Sequence, residues 1–181
     1  MPSFRTIRRR LATPFTLRAS RGLALLAALG IASLAHAQLL YNDVDWKESE
    51  VPPPPAFSQD RLIPIDMPRY MSLKFGVDPA TIKITPDGVV RYVVVATSRE
   101  GGGFNAFYEG LRCATDEYKA YARFNNGAWE SERDPDWKRL SDRTSRYTLA
   151  LAAQGVCRGR APRASVSEMV RALKTPVREV E

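Results

Sequence analysis

Histidine is almost missing from this chain of 181 residues: the single one, His36, falls within the first 37 positions. Those positions also contain no acid. They hold six arginines (Arg5, Arg8, Arg9, Arg10, Arg18 and Arg21), an apolar run over residues 23–34, and then Ala35-His36-Ala37. A run of 12 is shorter than an ordinary membrane span requires. A basic flank, a short apolar core and small residues at Ala35 and Ala37 form the order of a bacterial secretory signal, with cleavage expected between Ala37 and Gln38. The Arg8-Arg9 pair admits a twin-arginine route, but it stands far from the apolar core, so the ordinary route is expected. No cysteine follows the cleavage point, which excludes a thiol-linked lipid there. The expected product is a soluble periplasmic protein with no stable membrane anchor after signal cleavage.

Removal of this leader changes what the composition implies. The whole chain has 27 Lys+Arg against 20 Asp+Glu, a net charge of +7; losing the six arginines leaves 21 against 20, a net of +1. A basic chain ordinarily points to nucleic acid or an anionic surface. Here the excess belongs to the targeting segment, and no nucleic-acid partner is expected. The only imidazole leaves with it. A mature chain without histidine cannot form a Ser-His-Asp or Cys-His nucleophile, an H-E-x-x-H zinc site or a histidine-ligated haem, so no cofactor and no metal are expected.

Only two cysteines are present, Cys113 and Cys157, and both lie beyond the leader. Two thiols in an exported domain are expected to pair. A redox pair has C-x-x-C spacing, which is absent, so the expected role is structural.

The chain divides into a signal (residues 1–37), a polar, proline-rich arm (38–62), a single α+β domain (63–175) and a tail (176–181). The arm runs through Asp45-Trp46-Lys47-Glu48 into Pro52-Pro53-Pro54-Pro55. Four consecutive prolines impose an extended polyproline II path. A spacer lying over the domain is expected, with Trp46 as its anchor. Strands are predicted over residues 81–85 and 89–97 about a Pro86-Asp87-Gly88 turn, then over 104–113 and 117–124, with a short last strand at 128–130 after Asn125-Asn126-Gly127. In the 104–113 strand, Phe107, Leu111 and Cys113 share a face with Asn105 and Glu109. The 117–124 strand alternates Tyr118, Ala120, Ala122 and Phe124 against Lys119, Tyr121 and Arg123. One helix is predicted over 145–154, with Leu149, Ala152 and Ala153 inward and Gly155 as its stop; Cys157 then clips its end to the strand of Cys113. A second starts at a Ser165-x-x-Glu168 capping box, buries Val166, Met169, Val170 and Leu173, and ends at Pro176. The fold class is therefore α+β: a four- or five-stranded antiparallel sheet, two C-terminal helices packed on one face, and one disulfide.

The segment Phe107-Tyr108-Glu109-Gly110-Leu111-Arg112-Cys113-Ala114-Thr115-Asp116-Glu117-Tyr118-Lys119, preceded by Asp45-Trp46, resembles the cryptic neisserial protein family. The likeness runs from about Asn42 to Leu173 and implies an exported domain of uncharacterised function. It carries no catalytic residues. Some members look like lipoproteins, and this chain departs from them in lacking a cysteine after the signal.

Three residues stand out as a binding face. Tyr108, Gly110 and Arg112 alternate onto one side of their strand, where an aromatic ring and a guanidinium beside bare backbone suit a glycan or a carboxylate-bearing peptide, and Tyr118 is grouped with them. Gly101-Gly102-Gly103 lacks the Gly-Lys-Ser/Thr ending of a phosphate loop and reads as a hairpin connection. Histidine-free hydrolysis would need paired carboxylates, for which Glu109 with Glu130 and Asp134 with Asp136 are the candidates. The expected function is a non-enzymatic binding or structural module of the cell envelope whose partner is an envelope protein or a cell-wall component. The alternative is a small carboxylate-dependent hydrolase acting on cell-wall glycan.

Overall fold

A computed structural model describes residues 45–142 and 146–175. The signal, the Ala37–Gln38 junction, the start of the arm, Ser145, Pro176 and the tail lie outside the described residues. From Trp46 onward the chain forms one compact unit.

Eight strands make one antiparallel sheet: β1 (Ile63–Pro64), β2 (Leu73–Val77), β3 (Lys83–Ile84), β4 (Val90–Ser98), β5 (Phe104–Arg112), β6 (Glu117–Asn125), β7 (Ala128–Ser131) and β8 (Lys138–Arg139). The order is β1-β2-β4-β5-β6-β7; β3 also pairs with β4, and β8 with β6. The centre is the predicted meander. Long β-branched runs favour a pleated, buried surface, and Val90, Tyr92, Val93, Val94 and Val95 are all at most 1% exposed. The β6–β7 hairpin turns at Asn126 (φ 48°) and Gly127 (φ 84°), the left-handed pair that a two-residue hairpin turn requires. The sheet is larger than four or five strands because β1, β2 and β8 are added to the five predicted ones, of which the strand predicted over 81–85 is β3. A two-residue ladder such as β1 or β8 has no period for a sequence pattern to reveal.

Two helices cover one face. The first, α1 (Arg146–Leu151), continues as a π turn over Ala152–Val156; the second is α2 (Val166–Lys174). Leu151, Ala152, Val156, Met169 and Leu173 pack with Val90, Tyr92, Val94 and Leu111 of the sheet into the main core. The inward face of α1 differs from the predicted one. Thr148, Leu151 and Ala152 are buried, while Leu149 is 48% exposed and Ala153 is exposed. The role of Gly155 differs too. Its φ is not positive, so it is not a left-handed stop; a Cβ there would come 2.7 Å from the Leu173 backbone nitrogen, and the missing side chain lets α2 pack against the π turn. At α2, Ser165 caps the Glu168 amide, but the Glu168 carboxylate turns to Arg163, so half of the expected capping box forms. Cys113 and Cys157 form a disulfide with a Cα separation of 5.8 Å, tying the exit of β5 to the end of the π turn.

Candidate functional site

The sheet face away from the helices is covered by the arm. Trp46 donates its indole N–H to the Asp87 carbonyl (2.8 Å), and Ser49 donates both its amide and its hydroxyl to the Asp87 carboxylate (2.8 Å each). These bonds explain a cation near the start of the apolar strand β4. Arg91 is 1% exposed; it donates to the Ser49 carbonyl (3.1 Å) and lies 3.3 Å from Asp87 and 3.7 Å from Glu48. A buried guanidinium is tolerated only when such partners surround it. Glu48 also accepts from Lys119 (2.9 Å) and from the Tyr121 hydroxyl (2.6 Å). Burial pushes the Asp87 carboxyl up, but hydrogen bonds from Thr85, Ser49 and Val89 outweigh this and bring it down to about 2. Further along, Phe57 stands edge-on to Phe104, Phe124 and Trp129.

Tyr108 and Arg112 do share this face, but beneath the arm. Tyr108 is 3% exposed and packs on Tyr121, and Arg112 is 9% exposed with Trp46 stacked 3.7 Å from its guanidinium carbon. The bare backbone at Gly110 is filled by the Tyr121 hydroxyl. Tyr118 lies on the opposite face, 8% exposed in the helix-side core. The structure therefore brings two of the three residues together, under cover, and separates them from the third.

A cleft opens instead on the helix side. It has a volume of about 590 Å³, with Glu109 lining its floor. Glu109 is 1% exposed. One carboxylate oxygen accepts from the Tyr92 hydroxyl at 3.2 Å, the other from the Tyr147 hydroxyl at 2.5 Å. Burial raises this carboxyl to about 7, against the two tyrosine bonds and the field of Arg123, which act to lower it. Tyr92 and Tyr147 are driven well above the ordinary phenol range by burial and by the nearby carboxylate. Phe75 stacks on Tyr147 at 4.5 Å, and Phe107 continues this aromatic wall.

The cleft owes one wall to a bulge. Tyr108 pairs with Ala122 and Glu109 with Ala120, leaving Tyr121 as an extra residue in β6. Beyond it the alternation reverses: Ala122 packs with Tyr108 and Tyr121 under the arm, while Arg123 turns over Phe107 into the cleft. The predicted unbroken alternation to Phe124 is corrected accordingly. Arg123 pairs with Glu132, and the loop that follows brings Asp134 and Asp136 to the rim. Of the acid pairs considered from the sequence, Asp134 and Asp136 thus join Glu109 in one cleft. Glu130, at the β7 edge, bonds to Asn125 instead.

Residues 41–174 match the CNP1-like family. The chain belongs to the CNP1-like family. The match takes in the arm, the sheet and both helices, so the strap formed by Trp46, Glu48 and Ser49 lies within the family's domain. No curated protein and no solved structure matches the chain. Among the described residues no His, Cys, Asp and Glu side chains cluster in a way that holds a metal ion, and no helix is long and apolar enough to cross a membrane.

Proposed function

We propose that this chain is an exported, non-enzymatic module of the bacterial cell envelope that holds a wall component or a side chain of an envelope protein in the Glu109 cleft. The observation that carries the reading is a carboxyl group 1% exposed that nonetheless lines an open cleft walled by aromatic rings. Binding sites combine a mainly apolar lining with a few placed polar groups, and burying an acid without a charged partner is costly. Export is supported by the leader and by a disulfide suited to an oxidising compartment. The narrower affiliation with exported neisserial proteins accords with the same location. The test is retention on purified cell-wall sacculi. Ala120 lines the cleft, so Ala120→Trp fills it; retention is expected to disappear while the far-UV spectrum is unchanged, and undiminished retention overturns the reading.

A second reading has one observation in its favour. A carboxyl raised to about 7 shares the cleft with Glu132, Asp134 and Asp136, and glycoside cleavage works through a neutral acid and an ionised carboxylate. Release of soluble reducing ends from sacculi, lost in Glu109→Gln, would establish hydrolysis.

A further inference from the structure

Resting on that reading of the cleft, we propose that its ligand presents an aliphatic primary ammonium on a slender chain, which passes the wall of Phe75, Phe107 and Tyr147 and pairs with the Glu109 carboxylate. An ionised carboxylate offers about four acceptor positions. Tyr92 and Tyr147 take one on each oxygen. No lysine or arginine among the described residues stands within ion-pair distance of it. Two cations of the cleft are engaged elsewhere: Arg123 pairs with Glu132 and lies over Phe107, and Arg146 donates to the Tyr70 hydroxyl at 3.2 Å. The ionised carboxylate thus has no counter-charge within the described residues, and a ligand's ammonium would supply one. Aromatic faces attract cations on the way in, and a carboxyl only 1% exposed is closed to a bulky ring, which is why the proposed ligand is slender. Asp134 and Asp136, both exposed at the rim, suit a second positive charge at the far end of a diamine.

The groups facing Glu109 are Tyr92 from β4, Tyr118 and Arg123 from β6, Arg146 and Tyr147 from α1, and Glu132, Asp134, Asp136 and Lys138 from the β7–β8 side. With Glu109 neutral below about pH 7, binding R–NH3⁺ ionises the acid: the ammonium keeps its proton, the carboxyl releases one to solvent, and a charge-assisted hydrogen bond forms. A ligand arriving at pH 6 meets about nine-tenths protonated acid, so its association constant is about tenfold lower there than at pH 8.

Isothermal titration of the mature chain with 1,5-diaminopentane, a lysine-containing tripeptide and 1,5-pentanediol tests this. The amines are expected to bind and the diol not, with about one proton released per ligand at pH 6 and the tenfold pH effect above. The two amine arms distinguish a free diamine from a peptide side chain. Glu109→Gln is expected to abolish the pH effect. Asp134→Asn with Asp136→Asn, both at exposed positions, weakens the diamine several-fold and keeps the test open should the Glu109 variant fold poorly. Equal binding of diol and diamine, or pH-independent amine binding, overturns the proposal. If sacculi are retained in the cleft yet neither amine binds, the ammonium falls and the cleft reading stands; if Ala120→Trp retains sacculi undiminished, the cleft reading falls as well.

Discussion

Replacing Glu109 by glutamine should change how stability depends on pH more than it changes stability itself. The folded carboxyl is raised to about 7 by burial, from an ordinary value of 4.5. Between those two values the folded state holds a proton that the unfolded chain has lost, so stability falls as pH rises through the window. Two and a half units correspond to about 3 kcal/mol, fully lost above pH 7. Glutamine carries no charge at either end. It costs about 1 kcal/mol at pH 5, because its amide nitrogen cannot accept the second tyrosine bond, and because the parent loses about 2.5 kcal/mol between pH 5 and pH 8 the variant is the more stable by about 1.5 kcal/mol at pH 8. Urea unfolding of both proteins at pH 5 and pH 8 gives the double difference directly. Titration of the sole histidine, His36, is common to both proteins and cancels in the double difference. An identical stability difference at the two pH values would refute the claim that this carboxyl is buried without a counter-charge.

Three further outcomes follow from the packing. Asp87→Ala removes the carboxylate that accepts from Ser49 and pairs with Arg91 and leaves a buried cation underpaired; a loss of about 3 kcal/mol in urea unfolding, with faster proteolysis within the arm, is expected. In the parent, the Asp87 contribution is present above the ordinary value of 3.8 and is lost as pH falls toward about 2, so the arm should loosen in acid. Gly155→Ala places a methyl group 2.7 Å from the Leu173 nitrogen and should cost about 2 kcal/mol with a lowered melting temperature. Reducing the bond between Cys113 and Cys157, which spans 44 residues, should cost about 4 kcal/mol, read as a shifted urea midpoint in the presence of dithiothreitol.

What was legible in the sequence follows from the range over which each signal acts. The β4–β7 strands, the Asn126-Gly127 turn and the Ser165 cap depend on neighbours a few residues away, and pattern reading finds such features. The pairing of Cys113 with Cys157 is legible because the chain has only two cysteines. The burial of Arg91 is not legible because Asp87, four residues before it, reads only as part of a turn, and its other partners, Ser49 and Glu48, lie more than 40 residues away. The bulge at Tyr121 was hidden for a related reason. Residues on both sides of it include apolar and polar types, so either phase of alternation fits the letters, and only pairing with Tyr108 and Glu109 selects one.

That shift of one residue determines what the molecule presents to its surroundings. Continued alternation would have placed Arg123 with Lys119 and Tyr121 under the arm, where Glu48 already accepts from two donors. The bulge instead sends Arg123 over Phe107 and toward Glu132, giving the cleft a basic wall without placing a cation on Glu109 itself. The two faces of the sheet consequently end in opposite conditions. On the arm side, a buried base is surrounded by acids of its own chain. On the helix side, a buried acid has only neutral hydroxyls, and a cleft leads to it. The first face pairs its buried cation within the chain, whereas the second leaves its buried acid without an ion pair, and that difference is what the proposed ammonium ligand would use.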